Sequence, residues 1–329
     1  MIQPAFACRM HKSACGYILV LTAMLLSGCS SAVLDPVGAV GEQQKNLILL
    51  AFGLMLTIVI PVIALTLYFS WYYRASNKHA TYKPDWAESK WAEMGMWGIP
   101  LALIIVLSVV TWVSTHKLDP YKPLSDEAHL KVQVVSLDWK WLFIYPDYGV
   151  ASVNELVIPK DIPVSFDLTS GSVMNSFFIP RLGSQIYTMA GMKTQLHLVA
   201  NETGNLKGIS SNFSGAGFAN MQFNAKVVAD QAAFERWVTQ TKAGVEQSQG
   251  QGALTMSSFK ALSEPSQQVP VRTYSSLEPK LFDKIMMKVM KNYGETPFYE
   301  KGSVHPQAPR LLPSSDSATE AQPQVNQPS

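Results

Sequence analysis

Hydrophobic and polar positions divide the chain into regions with three different rhythms. Ahead of position 116 the apolar residues come in unbroken runs. Asn46–Ser70 and Met94–Thr115 contain no charged residue, and each meets the roughly 20 residues a helix needs to cross a ~30 Å hydrocarbon core. Pro61 and Pro100 lie inside these runs, where a kink is tolerated if neighbouring groups re-satisfy the backbone. Tyr68, Trp71, Tyr72 and Tyr73 follow the first run, and Trp91 and Trp97 flank the start of the second, as expected where helices meet a membrane surface. The expected elements are transmembrane helices over 46–70 and 93–115, joined by a loop over 71–92.

Between about 130 and 230 the rhythm changes to alternation. Leu130–Val135, Glu155–Pro159, Pro163–Leu168, Thr194–Val199 and Gln222–Val228 alternate, separated by turn-forming stretches such as Pro146–Gly149, Ser170–Ser172 and Asn201–Gly204. Short alternating strands at regular spacing predict an all-β sandwich within a domain spanning 116–242. Gln231–Lys242 then reads as a helix, and Glu246–Gly252 as a linker. An ordered extension over 258–292 carries an amphipathic helix near Leu277–Met290, and a Pro/Ser/Gln-rich tail over 303–329 reads as disordered.

Charge adds topology. Arg74, Lys78, Lys83 and Lys90 outnumber Asp85 and Glu88 in the loop between the two runs, placing that loop in the cytoplasm and both flanking segments outside. The formal net charge of +2 and the lack of a basic block give no case for nucleic-acid binding. Arg9, His11 and Lys12 precede a short apolar stretch, Gly16–Leu26, that ends in Leu26-Ser-Gly-Cys29. This is the pattern of a secretory signal over 1–28, and it resembles a bacterial lipobox with Cys29 as the lipidated first residue of the mature chain. A first transmembrane helix with a chance cysteine is the alternative, and the shortness of the stretch speaks against it. Residues 29–45 would then form an external N-terminal segment, and the folded domain would contain no cysteine.

Four local motifs, in order, resemble subunit II of the haem-copper respiratory oxidases. Glu93, Trp97 and Pro100 stand in a Glu-x-x-x-Trp-x-x-Pro pattern, one residue short of the family's proline spacing. Leu137–Pro146 is aromatic-rich through Trp139, Trp141, Phe143 and Tyr145. Val173–Pro180 matches a segment in which a histidine precedes Ser-Phe, and Gly208–Met221 matches the family's copper loop.

The resemblance implies a transmembrane hairpin followed by an all-β cupredoxin-like sandwich. In members that take electrons from cytochrome c, that sandwich holds two coppers bridged by thiolates, a donor type that suits copper. At the corresponding positions this sequence has Asn175 for the upstream histidine, Ser210 and Ser214 for the cysteines, Asn212 for the glutamate and Phe218 for the loop histidine. Met221 alone is retained.

Loss of these ligands marks the family's quinol oxidases, and Phe259–Phe282 resembles the aromatic extension of the cytochrome bo type. The resemblance therefore implies no cofactor in this chain, with haems and copper in partner subunit I. Further implied partners are subunits III and IV, membrane lipid and the quinol substrate of the complex. The implied location is the bacterial cytoplasmic membrane, with the sandwich in the periplasm.

Glu93 reads either as the entrance of a proton pathway shared with subunit I, as the family implies, or as a solvated carboxylate favoured by the helix dipole. His197 lies in an alternating strand and is expected to be a satisfied histidine rather than a ligand. Met174, Met189, Met192 and Met221 are expected to fill gaps rather than bind Cu(I). Trp139 and Trp141, two apart, are expected on one strand face. A free-standing lipoprotein and a cytochrome c oxidase subunit II are the competing functional readings.

Overall fold

The structure, a computed structural model, describes residues 32–81, 86, 88–124, 129–183, 185–244 and 251–292. Cys29, the leader, most of the expected linker and the tail lie outside the described residues.

Helix α1 spans Ala39–Tyr72 and helix α2 spans Lys90–Lys117. Both overrun the uncharged stretches: α1 takes in Glu42 and Lys45, and α2 takes in Lys90, Glu93 and Lys117. At 1.5 Å per residue they are about 51 and 42 Å long, enough to span the hydrocarbon and reach through the headgroups. Their apolar side chains face outward, with Phe52, Leu67, Trp97 and Trp112 all more than half exposed. Polar side chains within them turn back on the helix. Thr57, Thr66 and Ser70 donate to carbonyls four residues earlier at 3.1, 2.7 and 2.7 Å, as lipid requires of groups with no water to bond. The helices have the length and composition to cross a membrane.

The sandwich has two sheets. The larger contains β1 (Leu130–Leu137), β2 (Lys140–Tyr145), β3 (Val150–Val153), β5 (Val164–Ser170), β8 (Thr194–Leu198), β11 (Gln251–Leu254) and β12 (Arg272–Leu277). Its order is β11-β12-β3-β2-β1-β5-β8. The smaller contains β4 (Glu155–Pro159), β6 (Asn175–Phe178), β7 (Gln185–Thr188), β9 (Gly204–Ser210) and β10 (Gln222–Val228), in the order β4-β10-β9-β6-β7. Strands β1 and β5 pair in parallel, as do β4 and β10, and β11 and β12. The aromatic centre of the sandwich is a packed set of rings: Phe177 stacks on Phe223 at 5.2 Å and meets Trp141 edge-on at 5.4 Å. A Cβ on Gly208 would collide with the Phe223 ring, so that glycine makes room for the stack.

Helix α3 (Gln231–Ala243) opens on Asp230, whose carboxylate accepts from the Ala233 N–H at 2.7 Å, and closes on Gly244 in the left-handed region. Beyond it the extension does more than the expected helix. It supplies β11, helix α4 (Met256–Ser263), β12 and helix α5 (Leu281–Asn292). Gln251 and Gly252, read from sequence as linker, begin a strand. Leu277, read as helical, ends one.

Strand β12 pairs with β3, and the helices lie over the outer face of the larger sheet. There Leu254, Phe259, Leu262, Leu281, Phe282 and Ile285 bury a second cluster with Val135, Leu137, Leu142 and Ile144. The larger sheet is therefore covered on both faces. That explains why β2, Lys140-Trp-Leu-Phe-Ile-Tyr145, is buried at every position and shows no alternation.

The segment before α1 is clamped to the sandwich. Arg181 pairs with Asp35 at 2.8 Å, the Gly41 N–H donates to the Leu182 carbonyl at 3.0 Å, and Val37 and Val40 join the sandwich core. Gly183, at φ 92°, lies so close to Gly41 that no Cβ fits between them. The start of α1 is thus fastened to the sandwich by contacts of its own.

The candidate site: a loop end with the spacing of a copper centre

Strands β6, β9 and β10 bring the candidate residues together. The Ser210 hydroxyl lies within reach of Asn175 Oδ1 at 3.2 Å and of the Asn212 carbonyl at 3.3 Å. Ser210 also receives the Ser176 N–H at 3.5 Å. Asn175 and Ser210 are both buried. The Ser214 hydroxyl donates to Met221 Sδ at 3.9 Å, and the Ser210 N–H donates to the Met221 carbonyl at 3.2 Å. Four of the sequence-selected positions therefore converge. Two do not: the Asn212 amide donates outward to the Met174 carbonyl at 3.1 Å, and Phe218 packs edge-on against Phe213, itself 76 % exposed.

The donor set at this point is two hydroxyls, a carboxamide and one thioether. A serine hydroxyl does not ionise near neutral pH, and among the described residues no imidazole or thiolate joins this group to bridge a metal pair. Soft, anionic sulfur is what a two-copper centre requires, so these residues do not fit one. Among the described residues no cluster of three His, Cys, Asp or Glu side chains is placed to hold a metal ion.

Trp139 is placed differently from the expectation. It does not share a strand face with Trp141, because the chain turns between them: Asp138 and Trp139 form the two-residue turn joining β1 to β2, with Leu137 paired to Lys140. Trp139 adopts φ 64°, a left-handed conformation costing about 1–2 kcal/mol in a non-glycine residue. Its indole N–H donates to the Ser214 carbonyl at 3.0 Å, and the ring covers Gly217 so closely that a Cβ there would collide. A strained tryptophan thus closes over the loop. Trp141 is fully buried in the sandwich core.

Lys140, the next residue, points to the other side of the sheet and has no exposed surface. Its ammonium donates to the Glu264 carbonyl and the Ser266 hydroxyl, both at 2.7 Å, and to the Asp138 carbonyl at 3.3 Å. Burial pulls its pKa below the ordinary lysine value; Asp138 and Glu264 oppose that shift and Arg272 adds to it. Sequence reading passed over this residue, although a lone lysine inside an aromatic run is a signal that a buried partner exists.

His197 is satisfied on both ring nitrogens, by the Pro120 carbonyl at 3.1 Å and the Ser165 hydroxyl at 3.3 Å. Met221 is buried in the core and Met174 is 43 % exposed. Glu93 is exposed in the first turn of α2.

Comparison with known proteins agrees with this architecture. Residues 148–228 match the cytochrome c oxidase subunit II periplasmic domain, and residues 249–292 match the aromatic-rich motif of the same oxidases. The cytochrome bo(3) ubiquinol oxidase subunit 2 of Pseudomonas putida is 51 % identical over 290 residues, 88 % of this chain and 90 % of that one. The chain belongs to the ubiquinol oxidase subunit 2 family.

The ubiquinol oxidase subunit 2 of Acetobacter aceti is 49 % identical over 81 % of this chain and 85 % of its own. The quinol oxidase subunit 2 of Bacillus subtilis is 38 % identical over 68 % of this chain and 71 % of its own. The periplasmic domain of subunit II of the Bradyrhizobium japonicum cytochrome oxidase superposes with a TM-score of 0.34 at 26 % identity, covering 36 % of this chain and 98 % of that one. As a ubiquinol oxidase subunit 2 family member, the chain is a membrane-anchored subunit of a respiratory quinol oxidase, with a cupredoxin-like sandwich as its periplasmic domain.

Proposed function

We propose that this chain serves a ubiquinol-oxidising, oxygen-reducing, proton-translocating complex as a subunit that carries no redox centre of its own. Electrons pass from quinol to haem and copper in subunit I without crossing the sandwich. The observation that carries this reading is the loop itself: its spacing is kept while Asn175, Ser210, Ser214 and Phe218 stand where a copper centre needs imidazole and thiolate. The hairpin packs against subunit I in the bacterial cytoplasmic membrane. Subunits III and IV complete the assembly, Cys29 carries acyl chains, and the sandwich lies over the periplasmic face of subunit I.

Purification in mild detergent tests the reading. The chain is expected to co-elute with haem and with a multi-helix partner, and metal analysis of the resolved chain is expected to find no stoichiometric copper. A chain that migrates alone without haem overturns membership of the complex; bound copper overturns the electron route.

Glu93, at the cytoplasmic end of α2, is assigned to the entrance of the proton path. Glu93→Gln is expected to slow turnover of the complex while leaving assembly intact, and unchanged turnover would remove it from that path.

A further inference from the structure

Where the outward ends of both membrane helices meet the sandwich, a cavity of about 220 Å³ opens. Its walls come from three parts of the chain: Val40 and Gln43 on α1, Lys117 at the end of α2 with the following Leu118–Leu124 segment, and His197 on β8. The His197 ring is engaged by Pro120 and Ser165, which sets the floor in place. The clamp of Asp35, Val37 and Gly41 on the sandwich holds the α1 wall.

The cavity lies at a definite depth. On α1, Val40 and Gln43 precede the uncharged run by three to six residues, or about 5–9 Å at 1.5 Å per residue. On α2, Lys117 lies two residues past the run, or about 3 Å. The polar layer outside the hydrocarbon is about 5–8 Å thick on each side. Counted along either helix, the same cavity falls among the headgroups.

Its chemistry is graded in the same direction. Val40, Leu118 and Leu124 supply apolar surface, while Lys117 and Lys122 supply two ammonium groups against the single carboxylate of Asp119. Lys117, at the end of α2, can extend its head to the interface, and with Lys122 it gives the rim a net positive charge. We infer that the cavity binds the phosphate of an anionic glycerophospholipid headgroup, with the glycerol end of the lipid against its apolar wall.

The test uses the full chain in nanodiscs of equal phosphatidylglycerol and phosphatidylcholine, released and weighed by native mass spectrometry. The chain is expected to retain phosphatidylglycerol in preference to phosphatidylcholine. Lys117→Gln with Lys122→Gln is expected to lower that retention about thirtyfold, the effect of two basic groups at an anionic surface. Lys207→Gln, an exposed lysine on the smaller sheet, is expected to leave it unchanged. Equal retention in the double variant, or equal retention of the two lipids, overturns the inference. Displacement of the lipid by millimolar inorganic phosphate would reassign the cavity to a free anion and overturn it as well. The inference rests on the helices spanning the bilayer, so resistance to alkaline carbonate extraction is measured alongside: extraction of the chain overturns the span, and retention in the membrane without bound lipid overturns the headgroup site alone.

Discussion

The loop end of the sandwich and the C-terminal extension grip the same two-residue turn from opposite sides, with unlike means. At the loop end the contacts are mostly neutral hydrogen bonds, with one to a charged group: the Ser172 hydroxyl donates to the Asp138 carboxylate at 2.7 Å. Ser210 reaches Asn175 at 3.2 Å and Ser214 reaches Met221 at 3.9 Å, while Val173, Met174 and Phe213 stay exposed. On the extension side an apolar cluster is closed around Phe259, Leu281, Phe282 and Ile285. Lys140 adds two 2.7 Å bonds, and the Asn154 amide donates to the Val269 carbonyl at 2.8 Å. Neutral hydrogen bonds contribute about 0.5–1.5 kcal/mol each, whereas a buried aromatic contributes several times that. Most of the apolar burial around the turn therefore lies on the extension side, and the loop is tied to the turn through Trp139 and Asp138.

The largest effect would come from restoring what the loop lacks. Ser210→Cys, Ser214→Cys, Asn175→His, Asn212→Glu and Phe218→His together are expected to convert a donor set that does not fit copper into a purple two-copper centre. Near-infrared absorbance and stoichiometric copper in the purified chain would report it. A folded variant that takes up no copper would show that the loop positions are misassigned, although Ser210 and Ser214 each contact Met221, by backbone and by side chain respectively.

Next in size is damage to the extension. Phe259 is buried in the second cluster, and Phe259→Ala is expected to cost about 3–5 kcal/mol. Denaturant unfolding would measure the loss, and limited proteolysis would locate it after residue 250. A loss below about 1 kcal/mol, the scale of a surface substitution, would break the contrast between the two sides.

Lys140→Met is expected to cost less, because the methionine fills much of the same volume. It leaves the Glu264 carbonyl and the Ser266 hydroxyl without the ammonium, a loss of about 1–3 kcal/mol. The readout that distinguishes a tie from simple packing is at the far side of the sheet: faster amide exchange in residues 214–218, under the Trp139 indole. Unchanged exchange there would mean that the extension does not steady the loop.

Much of the fold was legible because several of its strands alternate apolar and polar residues along the sequence. Strands β1, β4, β5, β8 and β10 alternate and were found close to their observed limits, as was helix α3. Strand β2 could not be, since the extension removes its polar face; β6 and β7 are only four residues long, and β9, Gly-Asn-Leu-Lys-Gly-Ile-Ser, is rich in Gly and polar residues. The candidate site was legible as spacing, which survives the loss of its chemistry. What spacing could not carry was direction. The turn at Asp138–Trp139 sends Trp139 over the loop, and Lys140 faces the extension only because β11 and β12 extend the sheet beside β3.

The smallest effect is a pH dependence within the extension. Glu278 joins its two helices: the carboxylate accepts the Met256 N–H at 2.7 Å at the start of α4 and pairs with Lys284 on α5. The Lys284 bond, then the backbone bond, hold its pKa below the ordinary carboxylate value of 4.5. A carboxylate depressed in the folded state binds fewer protons there than in the unfolded chain, so stability rises with pH across the interval between the two pKa values. The contribution is complete above the unfolded value of 4.5 and disappears as pH falls through the lower, folded one. Because the pair is solvent-accessible, the effect is small and screened by salt. Acidification below pH 4.5 is expected to lower the protection of the Met256 amide, relative to its intrinsic exchange rate at each pH, by more in the native chain than in Glu278→Gln. An equal loss of protection in the two proteins would place the acid sensitivity elsewhere and leave the apolar cluster as the main bond between α4 and α5.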